Sequence, residues 1–252
     1  MNFWLGCTKV SPACDHCYAE TWAKRAGMAD LWQGRRQRTK TWGQCLKWER
    51  EQVEFFALHG RHRRIFTNSL ADWCDNEIPE SWRHDAWTHI GMCRHAEWYI
   101  VTKRISNFLK MLPIEAFAKS TFGHIVLIIT VVNQEDANRD IPRLTAIQDQ
   151  YPWLRIGLSI EPMQGPIVLK AEWLRKLNWV IVGGESGAHA RAMPFAWVKP
   201  LLDACTAYAV PFHFKQVGHN HDGWGGMPFT GKGANPEEWP LELRNQEFPR
   251  AA

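Results

Sequence analysis

The sequence predicts an α/β protein, a partial (β/α) TIM-like barrel of about six parallel strands with an irregular C-terminal tail. Three observations predict it. Six short apolar runs rich in β-branched residues recur along the 252-residue chain. Segments with helical spacing separate them, and each run ends in hydrogen-bonding or reactive residues, as strands do at the mouth of a barrel.

Residues 19–27 and 46–58 read as helices ahead of the first strand. The strands follow at 64–73 (RIFTNSLADW), 98–104 (WYIVTKR), 125–134 (IVLIITVVNQ), 154–162 (LRIGLSIEP), 179–187 (WVIVGGESG) and 211–218 (PFHFKQVG). Each has the length and continuous apolar character of a parallel strand buried on both faces. Helical spacing fills the intervals in ESWRHDAWTHIGMCRH, RISNFLKMLPIEAFA, DIPRLTAIQDQY, AEWLRKL and FAWVKPLLDACTAYA. An open doubly wound sheet uses the same alternation. The polar strand ends favour the barrel: Asn68, Ser69 and Asp72; Thr102, Lys103 and Arg104; Asn133 and Gln134; Ser159 and Glu161; Gly183, Gly184, Glu185 and Ser186; Lys215 and Gln216. One barrel domain is expected over 1–218. The remainder, 219–252, lacks periodicity and reads as an extension packed on the barrel or partly disordered, with HNHDG (219–223) read as a solvated turn in preference to a metal site.

Composition narrows the class. Hydrophobic residues make 45% of the chain and charged residues 22%, ordinary values for a soluble protein, and no stretch approaches the roughly 20 apolar residues of a membrane helix. No secretory leader is visible, so a reducing cytoplasm is expected and disulfides are not. The net charge of +4 is concentrated in part at 24–40 and 59–66. Six of the 15 tryptophans, Trp22, Trp32, Trp42, Trp48, Trp82 and Trp87, lie in one half of the chain among basic residues, where they could stack on nucleic-acid bases. The plainer expectation is that they pack helices against the sheet.

Three of the seven cysteines, Cys7, Cys14 and Cys17, fall within GCTKVSPACDHCYAE, spaced C-x₆-C-x₂-C. Thiolates bind soft or borderline metals, and a C-x₂-C pair reaches one centre from a tight turn. A fourth nearby ligand is missing, and His16 between two of the cysteines is poorly placed to share their metal. Three thiolates suit a four-iron cluster that leaves one iron open. Structural zinc and unmetallated or redox-active cysteines stay open as alternatives at this point.

GCTKVSPACDHCYAE, NSLADW, TKR, LSIEPMQGPI, NWVIVGGESGAHARAM and VPFHFKQVG, in that order over residues 3–218, resemble an uncharacterised phage- and prophage-borne three-cysteine family. Members of that family resemble radical S-adenosylmethionine (SAM) proteins and, more distantly, spore photoproduct lyase. The resemblance implies a 4Fe-4S cluster on Cys7, Cys14 and Cys17, SAM as second cofactor, and reductive cleavage of SAM to a 5′-deoxyadenosyl radical. The substrate is open, with nucleic acid or a nucleotide as one class and a protein partner unassigned. It departs from the usual C-x₃-C-x₂-C loop in its first gap, has fewer residues before the loop, and has TVVNQ where an acidic residue more often precedes the asparagine.

The expected roles follow. Gly183, Gly184, Glu185 and Ser186 form a ligand loop, with Glu161, Ser69 and Asp72 as further cofactor contacts. Lys103, Arg104, Asn133, Arg191, Lys215 and Gln216 are catalytic or substrate-binding candidates, the cations holding a carboxylate or phosphate. The competing class is a zinc-stabilised nucleic-acid-binding module without catalysis.

Overall fold

A computed structural model describes residues 1–250. Six parallel strands form one sheet: β3 (Arg64–Phe66), β4 (Glu97–Thr102), β5 (Ile125–Thr130), β6 (Arg155–Ile160), β7 (Trp179–Gly183) and β8 (Phe212–Gln216). Each pairs with the next in sequence order, β3-β4-β5-β6-β7-β8. A doubly wound sheet would reverse this order at a switch point. The unbroken order is that of a (β/α) barrel left open between β3 and β8. The crossovers carry α4 (Glu80–Met92), α5 (Lys119–Phe122), α6 (Gln134–Gln150), α7 (Ala171–Leu174) and α8 (Phe195–Ala207). Ahead of the sheet lie α1 (Tyr18–Arg25), α2 (Gly43–Arg50) and α3 (Gln52–His59). Among the described residues no helix is long and apolar enough to cross a membrane.

The strand pleat sends alternate side chains to opposite faces. Ile100, Leu127, Ile129, Ile156, Leu158, Val180 and Val182 join the large core shared with the helices. Tyr99, Val126, Ile128, Trp179 and Ile181 form a second cluster on the other face, with Phe248 against it. The chain's end closes this cluster at the N-terminal ends of the strands. Trp179 Nε1 donates to the Glu247 carbonyl (3.0 Å), Arg155 Nη1 donates to the Arg250 carbonyl (3.0 Å), and the Arg64 guanidinium lies 3.6 Å over the Phe248 ring. The extension after residue 218 is irregular, as its composition suggests, and it is packed: Trp224, Trp239 and Leu243 are buried. With one end filled, the concave space that remains lies at the C-terminal ends of the strands.

Two segments differ from the sequence reading. The strand expected over 64–73 pairs only through Phe66, because Asn68 turns into a left-handed conformation (φ 51°), which asparagine tolerates better than most residues. The backbone beyond it bonds instead to the N-terminal segment: Asn68 N–H donates to the Met1 carbonyl (2.8 Å) and Gly6 N–H to the Leu70 carbonyl (3.1 Å). That segment carries β1 (Trp4–Leu5), paired antiparallel with β2 (Gln37–Arg38). The helix expected over RISNFLKMLPIEAFA is a 3₁₀ turn, Ile105–Met111, ending where Leu112 is held extended ahead of Pro113.

The tryptophans serve mainly as packing. Phe3 stands at the centre of Trp42, Trp73 and Trp98 with ring centroids 4.9–5.9 Å apart, and Trp87 packs edge-on to Trp73 at 4.9 Å. Several basic residues are spent internally as well. Arg36 is buried against Asp75 and Glu77, Arg38 pairs with Asp85, and Arg63 stacks on Phe55.

Candidate functional site

The cysteine loop crosses the open mouth of the barrel. Its long first gap closes through a 3₁₀ turn, Pro12–Cys14, in which Cys14 N–H donates to the Ser11 carbonyl (2.9 Å) and proline sits where no amide donor is needed. Cys17 is the N-cap of α1. Tyr18 then reaches over the rim and its hydroxyl donates to the Ser69 carbonyl (2.6 Å).

Cys7, Cys14 and Cys17 all line one cavity of about 160 Å³ at the strand ends. Its wall and floor also include Phe66, Val101, Thr130 and Ser159. Of the expected site residues, Ser69, Asp72, Lys103, Arg104, Glu161, Gly184, Glu185, Ser186, Lys215 and Gln216 reach it as well. Asn133, Gly183 and Arg191 do not line it.

Each of these three has a structural reason. The Asn133 side chain caps α6 by accepting from Asp136 N–H (2.9 Å), so its oxygen is spent on the helix. Asn133→Ala should cost about 1 kcal/mol in thermal or chemical unfolding and leave metal content unchanged. Gly183 packs against the Glu161 side chain. Arg191 lies behind the loop and holds Glu185, with Nε 2.9 Å from Oε2 and Nη2 2.6 Å from Oε1. Gly184, though at the cavity, is required for packing: a Cβ there would stand 1.8 Å from the Val217 carbonyl oxygen. Gly184 thus lets β7 and the chain after β8 approach closely.

Glu185 is the hub of a clamp on the cysteine loop. His16 Nδ1 lies 3.0 Å from its Oε2, and Arg191 N–H donates to the same oxygen (2.8 Å). Burial acts to raise the Glu185 carboxyl, but the hydrogen bonds from Arg191 and His16 outweigh it and hold the group below its ordinary range. Arg191 continues to the Pro12 carbonyl (3.2 Å) and Asp15 (3.5 Å). His16, set aside as a metal ligand from sequence, is therefore a fastening of the loop.

A second clamp grips the loop's other end. Asp72 is buried and accepts from Thr102 Oγ1 (2.7 Å), Cys74 N–H (2.8 Å) and Lys103 N–H (2.8 Å). Arg104 pairs with it at 3.3 Å and extends to the Thr8 carbonyl (2.6 Å) and Cys7 Sγ (3.5 Å). Burial, then the Asp72 charge, push the Cys7 thiol up to about 11, against the opposing pull of Arg104. Gln216 bonds to the Gly184 carbonyl and Ser186 Oγ (2.8 and 2.7 Å), and Lys215 pairs with Glu161 at 2.6 Å across the mouth. Among the described residues the Lys103 ammonium has no ion-pair partner.

All seven cysteines are free thiols. Among the described residues, no three His, Cys, Asp or Glu side chains gather closely enough to hold a single metal ion. The three thiols share one cavity wall. A tetrahedral zinc site needs four ligands around one ion, whereas an iron-sulfur cluster spreads its irons and takes one thiolate at each. Three thiols match in number a cluster with one open iron and fall one short of a structural zinc site.

Fold and site together define an open six-stranded parallel (β/α) barrel with a three-cysteine loop clamped over the mouth of its cavity. The chain belongs to a family described as protein of unknown function (DUF5131), whose model matches residues 1–245. A comparison with curated proteins finds no match. Among solved structures, the chain is similar to a doubly substituted spore photoproduct lyase with bound AdoMet and dinucleoside spore photoproduct, at 14% identity and a TM-score of 0.44, covering 86% of this chain and 55% of that one. It is similar also to spore photoproduct lyase complexed with dinucleoside spore photoproduct, at 14% identity and a TM-score of 0.44, covering 85% and 54%. The chain thus spans about half the length of these structures.

Proposed function

We propose that the protein is an iron-sulfur enzyme of radical-SAM type, with Cys7, Cys14 and Cys17 holding a 4Fe-4S cluster. The observation that carries this reading is the presence of three free thiols on one cavity at the C-terminal mouth of a parallel barrel. When bound, such a cluster supplies an open iron for the amino and carboxylate groups of SAM and the electron for reductive cleavage to a 5′-deoxyadenosyl radical.

The chain's own residues supply binding and shelter. Lys103 brings a cation with no partner among the described residues into the cavity, suited to a carboxylate or phosphate. Glu161 and Lys215 present one group of each sign at the opposite strand ends and orient hydroxyl and anionic groups of a ligand. Phe66 and Val101 give the cavity an apolar surface beside these charges. Phe66 is partly exposed, and its ring offers a face on which a flat base can stack. Nucleic acid or a nucleotide is the substrate class that uses cation and ring together, and the phage setting implied by the sequence resemblance agrees with it.

Metal analysis of protein purified without oxygen tests the reading. About four iron and four sulfide per chain are expected for a full 4Fe-4S cluster. Stoichiometric zinc in colourless protein would instead favour the nucleic-acid-binding alternative, whose affinity should fall steeply with salt.

A further inference from the structure

The sequence places Arg104 among the groups that would hold a substrate anion, but its guanidinium is turned away from that task. Its side chain is 9% exposed, Nη1 lies 3.3 Å from the Asp72 carboxylate, and Nη2 donates to the Thr8 carbonyl at 2.6 Å. The same Nη1 carries a second proton and stands 3.5 Å from Cys7 Sγ, between the carboxylate and the sulfur. Asp72 is itself fixed by Thr102, Cys74 and the Lys103 backbone, so the guanidinium is held from behind by a rigid acceptor set. A planar fork held in this way aims its donor at one place. We propose that Arg104 is a positioning residue for the iron-sulfur cluster, holding Cys7 by an N–H···S hydrogen bond and setting the cluster's reduction potential.

The proposal rests on the iron-sulfur reading and adds a physical consequence to it. Taking one electron from a reductant such as dithionite adds one negative charge to the cluster. A fixed cation and a hydrogen bond at a ligand sulfur stabilise that charge, so Arg104 raises the potential. Asp72 moderates the effect by sharing the cation, and its larger part is to keep the fork pointed at Cys7. Of the other cations near the mouth, Lys215 pairs with Glu161 and Arg191 with Glu185 and Asp15, while Lys103 makes no hydrogen bond to a cysteine sulfur among the described residues.

The test is a potentiometric titration followed by electron paramagnetic resonance on the full chain, reconstituted anaerobically with iron and sulfide. Wild type is compared with Arg104→Gln and Arg104→Lys, and iron content is measured in each. At equal iron content, Arg104→Gln is expected to disfavour reduction about tenfold, which is ~59 mV for a one-electron couple. Arg104→Lys, which keeps the charge without the fork, falls between. In wild type labelled with ¹⁵N-arginine, pulsed resonance of the reduced cluster is expected to show a coupled nitrogen that both variants lose. Should Arg104→Gln fail to load iron, this wild-type coupling decides the matter. An unchanged potential at equal iron content, or no coupled nitrogen in wild type, overturns the proposal. A wild-type protein that takes up no iron and sulfide fails at an earlier step and removes the cluster reading together with it.

Discussion

Cys14→Ala should abolish the cluster while leaving the fold standing. Cys14 is buried on the 3₁₀ turn of the loop, where alanine replaces a small side chain and the backbone hydrogen bonds remain. Unfolding stability is therefore expected to change by about 1 kcal/mol or less. The visible thiolate-to-iron absorption after reconstitution should be lost, and bound iron should fall at least about tenfold, the scale on which disturbed ligand sets lose affinity. Cys205→Ala is the control. That thiol is buried on α8, pushed up to about 12 by burial and then by the Glu247 charge, and does not line the cavity. Absorption should survive in it. Equal iron in the two variants would remove Cys14 from the ligand set.

Asp72→Ala should be the most damaging single change to the scaffold around the site. The carboxylate takes hydrogen bonds from Thr102, Cys74 and Lys103 and faces Arg104, and both members of the ion pair are nearly inaccessible. Removing one partner leaves an uncompensated buried charge and costs about 3–5 kcal/mol. For a chain of this size that corresponds to a fall in melting temperature on the order of 10 °C. Thermal unfolding of the metal-free protein checks this independently of the cofactor. A loss below about 1 kcal/mol would mean that water or rearrangement satisfies Arg104, and the clamp on the loop would then be weak.

The strands were legible because burial on both faces leaves continuous β-branched runs, as in Ile125–Thr130, and such runs need no partner to be recognised. β3 was overread, since the turn at Asn68 and the backbone bonds to Met1 and Gly6 depend on chain more than sixty residues away. β1 and β2 pair through two residues each, too few to show a period. The three cysteines were legible from spacing alone, and the structure gathers them with ten of the thirteen other expected residues. What sequence could not assign was the direction of each charge. Arg104 and Arg191 read as anion holders because both lie in polar segments, one at a strand end and the other in a loop. Their partners Asp72 and Glu185 are fixed by the packing of separate strands. The same holds for His16, whose partner lies 169 positions along the chain. Asn133 carried a local signal that went unused: an asparagine three residues ahead of Asp136, with acidic residues in the first turn, is a helix N-cap pattern.

The central claim, that the clamped three-cysteine loop serves SAM cleavage at the barrel mouth, is tested most directly by product formation. Anaerobically reconstituted protein is incubated with SAM and dithionite, and 5′-deoxyadenosine is quantified against protein lacking iron. Formation of 5′-deoxyadenosine that depends on both the iron and Cys14 is the predicted result. A fully loaded four-iron protein that neither yields 5′-deoxyadenosine nor changes its resonance spectrum with SAM would contradict the account.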